Sequence, residues 1–171
     1  NYAEGYNNLG IAFQKLGLFE DAIKNYKKTL KLKPNFAPAY NNLGITLKSL
    51  NKLDEALINA KKAIELDPKY ADAYNNIGAI LHDLDKLEEA HRSYKEAIKL
   101  KPNYSDAYYN LGVLLKKLGK IEECVENFQK AVKINRKNSR AYSNYLFNLN
   151  YLTKYDNNYY LEEAKKFRLS L

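Results

Sequence analysis

The sequence predicts an all-α solenoid built from stacked helical hairpins, and two observations support this fold class. The first is a period of 34 residues. At this interval a tyrosine recurs as Tyr6, Tyr40, Tyr74, Tyr108 and Tyr142. The second is a helical spacing of apolar residues in both halves of each unit. Because a single hairpin of this size cannot bury its apolar face alone, each unit needs its neighbours, and a stacked array follows.

Each unit reads as a helix, a tight turn and an antiparallel helix. The turn holds residue types that tolerate a left-handed backbone, namely Gly17, Asn51, Asp85 and Gly119. The second helix is expected to end before a proline, at Pro34, Pro68 and Pro102, since proline cannot continue a helix. Small residues such as Gly78 and Ala90 let the two backbones approach closely, and tyrosines fill the wider spaces.

These recurring positions resemble the tetratricopeptide repeat. The match has Tyr at the fourth position, Leu and Gly at the seventh and eighth, Ala at the twentieth and twenty-seventh, an aromatic at the twenty-fourth and Pro at the thirty-second. The resemblance implies a right-handed superhelix with four repeats over residues 1–136, in the register 3–36, 37–70, 71–104 and 105–138. Residues 139–171 then form a partial fifth repeat. The departures from the motif are Thr29, Ala60, Cys124 and Arg136.

The C-terminal segment departs most from the pattern. Leu161–Ala164 matches residues 19–22 only after six extra residues, which fall within 153–158. We therefore expect a longer loop there, followed by a capping helix of about ten residues that ends near Leu171. Residues 143–151, together with the Glu-Glu-Ala that follows, resemble the segment joining repeats to the catalytic region in bacterial relatives of O-GlcNAc transferases and SPINDLY proteins. That resemblance implies an alternative, the substrate-recruiting region of a longer glycosyltransferase.

Asparagines recur on the first helix of each unit, which the resemblance places on the concave side. The sixth position holds Asn8, Asn42, Asn76, Asn110 and Asn144, and the fifth adds Asn7, Asn41 and Asn75. A carboxamide both donates and accepts hydrogen bonds, so a row of them can hold a peptide backbone whatever its side chains. We call this row the asparagine ladder, and it resembles one inside the repeats of O-GlcNAc transferases. In the alternative interpretation, the asparagines bond neighbouring helices and only hold the stack together.

The positions around the ladder define the expected chemistry of the groove. The ninth position is apolar throughout, as Ile11, Ile45, Ala79, Val113 and Phe147. In the family that this sequence resembles, repeats that clamp a C-terminal carboxylate carry cations at the fifth and ninth positions. This sequence has none there, which disfavours such a clamp. The twelfth position adds a mildly basic edge with Lys48, His82 and Lys116, which suits an acidic partner or is simply a solvated face. This mixed surface favours an extended segment that is read mainly through its backbone.

Other classes of function find less support. The net charge is +8, but the cations are not gathered into one stripe, so nucleic-acid binding is not expected. His82 and His91 lack ligand partners at short spacing, so we predict no metal, no cofactor and no catalytic residue. No apolar run is long enough to span a bilayer, and we expect a cytoplasmic protein without a membrane partner. The sequence thus predicts a non-catalytic scaffold for a protein or peptide partner.

The N-terminal residues fit the same pattern. The sequence has no methionine, and Asn1-Tyr2 matches the pair that follows a closing proline in later units, such as Asn103-Tyr104. We therefore expect the chain to be a piece of a longer array. Self-association through exposed repeat ends is a further expectation.

Overall fold

A computed structural model of the chain describes residues 2–152 and 157–168. Within these ranges the backbone forms ten helices and no strand, which confirms the all-α fold class. The helices are α1 (Tyr2–Lys15), α2 (Phe19–Leu32), α3 (Ala37–Ser49), α4 (Leu53–Leu66), α5 (Ala71–Asp83), α6 (Leu87–Leu100), α7 (Ser105–Lys117), α8 (Ile121–Ile134), α9 (Ser139–Leu149) and α10 (Asn157–Arg168).

The chain divides into two compact units, Asn1–Ser93 and Tyr94–Leu171, with the boundary inside α6. In the N-terminal unit, α1 pairs with α2 and α3 pairs with α4, while α2 packs against α3 and α4 against α5. In the C-terminal unit, α7 pairs with α8, α8 packs against α9, and α9 packs against α10. Each unit therefore builds its core from hairpins that contact the next hairpin through their second helix.

The predicted turn residues adopt the left-handed backbone. The φ angles are +76° at Gly17, +57° at Asn51, +59° at Asp85 and +73° at Gly119. In each turn, the residue after the left-handed one donates its backbone N–H to the carbonyl oxygen of the residue five positions before it. Lys52 bonds Leu47 in this way at 2.9 Å. This closure satisfies a carbonyl that the helix end would otherwise leave without a partner. The prediction that these four residues end the first helices is confirmed.

Small residues bring the two helices of a hairpin together. A Cβ added to Gly10 would lie 2.6 Å from the ring of Tyr26, which is fully buried. In the second hairpin the aromatic of this position is replaced by Ala60. There a Cβ on Gly44 would lie 3.1 Å from the backbone oxygen of Ala56, so backbone meets backbone instead of a ring. The departure at Ala60 thus changes which atoms pack against the glycine of the first helix.

The C-terminal helix differs from the expected one. It begins at Asn157, inside the segment predicted as loop, and has 12 residues. Residues 153–156 and 169–171, which include part of the predicted loop and the predicted helix end, lie outside the described residues. Tyr159 and Tyr160 are half-buried, so aromatic burial extends the helix one turn earlier than the repeat register indicates. The hydroxyl of Tyr142 donates to the backbone oxygen of Glu163 at 3.1 Å and ties α9 to α10.

Candidate functional site

Asparagine side chains join the first helices of the N-terminal unit. The Nδ2 of Asn42 donates to the Oδ1 of Asn7 at 3.2 Å, which links α3 to α1. The Nδ2 of Asn76 donates to the Oδ1 of Asn41 at 2.8 Å, which links α5 to α3. In both cases the sixth-position residue of one repeat donates to the fifth-position residue of the repeat before it. The same bond therefore recurs from one repeat to the next.

The fifth-position asparagines lie beneath this surface. Asn7, Asn41 and Asn75 are buried, with only 3% of Asn41 exposed to solvent. Asn41 also donates from its Nδ2 to the hydroxyl of Tyr70 at 3.5 Å, a long hydrogen bond. From the sequence, these residues are expected either to contact a peptide or to bond neighbouring helices, and their burial favours the second interpretation. The physical reason is that the Oδ1 atoms of Asn7 and Asn41 accept a bond from the following repeat.

The sixth-position asparagines are the accessible ones. Asn8 is exposed, while Asn42, Asn76, Asn110 and Asn144 are half-buried. Among the described residues, the Oδ1 atoms of Asn42 and Asn76 accept no hydrogen bond. Since the bond from Nδ2 fixes the plane of each amide, the Oδ1 atom is held in one orientation. These two side chains can therefore offer an acceptor without first having to become ordered.

The pairing does not extend to the fifth repeat. The fifth position of the fourth repeat is Tyr109, whose ring packs against Phe128 with centroids 5.6 Å apart. No amide oxygen is present there, and the Nδ2 of Asn144 donates instead to the backbone oxygen of Arg140 in its own helix at 3.0 Å. Asn144 therefore differs from Asn42 and Asn76, although sequence reasoning placed all three in one set.

Within each unit, apolar residues lie beside the asparagines at the ninth position. Ile11, Ile45, Ala79 and Val113 are half-buried, and Phe147 is exposed. Half-buried aliphatic side chains beside fixed amides provide contact area for side chains of a bound segment. The surface is therefore mixed in polarity, as the sequence indicates.

The basic edge of the twelfth position is only partly as expected. The Nζ of Lys48 lies 2.8 Å from the carboxylate of Asp83, so this cation is already paired within the N-terminal unit. His82 is half-buried in the last turn of α5. The Nζ of Lys116 lies 4.8 Å from the ring centroid of Phe147, and that ring packs against Tyr151. Arg140 and Tyr151 were not predicted as part of this edge. The helical spacing of residues 140, 144, 147 and 151 was the available signal that they share one side with Phe147.

The described residues contain no cluster of metal ligands, no reactive cysteine and no membrane-spanning helix. No group of three or more His, Cys, Asp or Glu residues among them could hold a metal ion. Cys124 is fully buried, and burial raises the pKa of its thiol to about 11, which keeps it protonated. No helix in this part of the chain has both the length and the apolar composition to cross a bilayer.

Family models of the tetratricopeptide repeat match overlapping ranges that together cover residues 3–138. Models described as the tetratricopeptide repeat match residues 3–36, 25–58 and 105–138, and a model described as the TPR repeat matches 46–85 and 78–119. The chain belongs to the tetratricopeptide-repeat family. Comparison with the sequences of curated proteins gave no match.

Solved structures with tetratricopeptide repeats share the fold. The crystal structure of MamA is 28% identical, with 94% of this chain and 91% of that chain covered and a TM-score of 0.73. PilF of Pseudomonas aeruginosa is 24% identical, with 99% of this chain and 76% of that chain covered and a TM-score of 0.87. The first TPR of Spaghetti (RPAP3), bound to the HSP90 peptide SRMEEVD, is 28% identical, with 68% of this chain and 93% of that chain covered and a TM-score of 0.65. These neighbours confirm the helical solenoid as the fold class.

Proposed function

We propose that this chain is a non-catalytic scaffold that binds an extended segment of a partner protein along its first helices. The observation that carries the proposal is the repeated bond from Asn42 to Asn7 and from Asn76 to Asn41. It fixes two amides, one per repeat, on an accessible surface. A peptide backbone offers N–H donors to their Oδ1 atoms at every residue, so recognition would depend little on the sequence of the segment.

The fifth-position asparagines act in this proposal as positioning residues. They are buried and hold the sixth-position amides in place, while the ninth-position aliphatic residues contact side chains of the segment. The RPAP3 repeat, which was solved with a bound peptide, supports peptide binding by repeats of this type. This chain has no cation at the fifth or ninth position. We therefore propose that the segment is held by hydrogen bonds between its own backbone amides and the asparagine side chains, and not by a carboxylate clamp.

The test begins with a peptide selected from a random library displayed on phage, with the whole chain immobilised. Its affinity is then measured for the wild type, for the Asn42→Ala Asn76→Ala double variant, and for Asn59→Ala. Asn59 is a matched control, since its amide lies on the second helix α4 and bonds the backbone of Glu55. We expect the double variant to bind about tenfold more weakly, the usual loss at a central contact residue, and the control to bind as the wild type does.

Recognition of the peptide backbone predicts a second result for the same peptide. Methylation of single backbone nitrogens should weaken binding at some positions, while alanine substitution of the neighbouring side chains should weaken it less. Equal affinity of the double variant and the wild type, with helical circular dichroism intact, would refute the ladder.

The remaining sequence expectations stay predictions. The glycosyltransferase alternative depends on the residues encoded after Leu171, where a nucleotide-sugar-binding α/β region would support it. Self-association would appear in sedimentation at several concentrations. A steep salt dependence of binding to RNA would contradict the expectation that the chain does not bind nucleic acid.

A further inference from the structure

The C-terminal unit presents a surface of different chemistry on its first helices. On α9, Arg140, Asn144, Phe147 and the following Tyr151 recur at helical spacing and share one side. Two cations of this surface lie over aromatic rings: the Cζ of Arg140 is 5.8 Å from the ring centroid of Tyr109, and the Nζ of Lys116 is 4.8 Å from that of Phe147. We call the residues Tyr109, Lys116, Arg140, Phe147 and Tyr151 the aromatic–basic strip.

A comparison between repeats shows why this strip is cationic. In the N-terminal unit, the twelfth-position Lys48 bonds the carboxylate of Asp83, which is the thirteenth-position residue of the next repeat. In the C-terminal unit, the thirteenth-position residue after Lys116 is Tyr151 instead of an acid. Lys116 is exposed, and among the described residues it forms no ion pair. The internal neutralisation seen at Lys48 is therefore missing at Lys116.

Two of the three aromatic residues of the strip are exposed. Phe147 is 52% exposed and Tyr151 is 63% exposed, and their rings pack edge to face with centroids 5.6 Å apart. Large aromatic side chains left in solvent beside arginine and lysine are typical of protein-contact surfaces. Such a pair provides an apolar contact next to two positive charges.

The charge of the whole chain is concentrated in the same unit. Residues 94–171 hold 15 Lys and Arg against 8 Asp and Glu, a net charge of +7. Residues 1–93 hold 13 against 12, a net charge of +1. An acidic partner is therefore attracted to the C-terminal unit over distances of about a Debye length, roughly 10 Å at moderate salt.

We propose that the aromatic–basic strip binds an acidic segment of a partner protein that carries an aromatic or long aliphatic side chain beside its carboxylates. The carboxylates pair with Lys116 and Arg140, and the apolar side chain packs on Phe147 and Tyr151. The proposal rests on the proposed function in that the partner is a peptide along the first helices. It uses no hydrogen bond of the asparagine ladder.

The experiment measures fluorescence anisotropy of three labelled peptides with the whole chain. One alternates Asp and Glu around a central Phe-Leu pair, the second has Asn and Gln in place of the acids, and the third has Ala-Ala in place of Phe-Leu. The variants are Lys116→Glu and Phe147→Ala. Their controls are Lys27→Glu, which makes the same change of charge at an exposed position of α2, and Ile58→Ala, which removes an exposed aliphatic side chain from α4.

We expect the acidic Phe-Leu peptide to bind best and to weaken as salt is added. Lys116→Glu and Phe147→Ala should each weaken it about tenfold, and the two controls should change its affinity less than about twofold. The proposal is overturned if the neutral peptide binds equally well, if Lys27→Glu has the same effect as Lys116→Glu, or if poly-uridine RNA competes as well as the peptide does. Because the strip uses no hydrogen bond of the ladder, the Asn42→Ala Asn76→Ala variant should bind the acidic Phe-Leu peptide as the wild type does. Failure of the ladder therefore shows only in the affinity of the library-selected peptide for that variant, and failure of the strip shows only in Lys116→Glu and Phe147→Ala.

Discussion

The bond between Asn76 and Asn41 should contribute measurably to stability, and Asn8 provides a matched control. Replacing Asn76 by Ala removes the donor at 2.8 Å and leaves the Oδ1 of Asn41 buried without that partner. An unsatisfied buried acceptor costs about 1–3 kcal/mol. Asn8 occupies the same sixth position but is exposed, so Asn8→Ala removes no buried bond. Both substitutions gain about 0.5 kcal/mol of helix propensity, so the gain cancels in the comparison.

We therefore expect Asn76→Ala to be less stable than Asn8→Ala by about 1–2 kcal/mol, or a few degrees in Tm for a chain of this length. Urea unfolding followed by far-ultraviolet circular dichroism measures the difference. A double-mutant cycle with Asn41→Ala then isolates the pair, with an expected coupling of about 0.5–1.5 kcal/mol. If Asn76→Ala and Asn8→Ala have the same stability, the amide pair does not stabilise the packing of α5 on α3, and the reasoning fails.

Three further predictions concern buried groups. Gly10→Ala should destabilise by about 1–3 kcal/mol because the ring of Tyr26 cannot move away, and Gly44→Ala should cost less, as urea unfolding of both variants will show. Cys124 should react with iodoacetamide at pH 8 only after unfolding, and labelling of the native chain would contradict its burial. Burial raises the pKa of Tyr26 from 10.0 to about 12. The contribution of its neutral hydroxyl to folding stability is therefore complete below pH 10 and is lost as the pH rises to 12. Tyr26→Phe should flatten stability over that range, measured by urea midpoints from pH 9 to 12.

The parts of the fold that depend on local backbone chemistry were predictable. Asn51 and Asp85 are types that tolerate a positive φ, and Pro34 cannot continue the helix that precedes it. A fixed period then places each such signal in every copy. The start of α10 at Asn157 was not predictable in this way, because burial of Tyr159 and Tyr160 depends on tertiary packing that the repeat register does not contain.

The candidate site was predictable only in outline. The sequence shows that asparagines recur, but not which one is buried. The bond from Asn76 to Asn41 spans 35 residues, one more than the period, so it appears only when two first helices lie side by side. The different roles of Asn42 and Asn144 likewise depend on a residue in another helix, since Tyr109 replaces the acceptor that Asn144 would need.

The offset between donor and acceptor has a consequence for how such an array can grow. A copy that carries both asparagines, like the second repeat with Asn41 and Asn42, can follow and precede another copy of itself. Duplicating its gene segment would therefore lengthen the protein without requiring a new complementary contact. The copy with Tyr109 lacks the acceptor, and duplicating it would interrupt the series of amide bonds. Natural variation in repeat number should accordingly insert copies of the first, second or third repeat and not of the fourth.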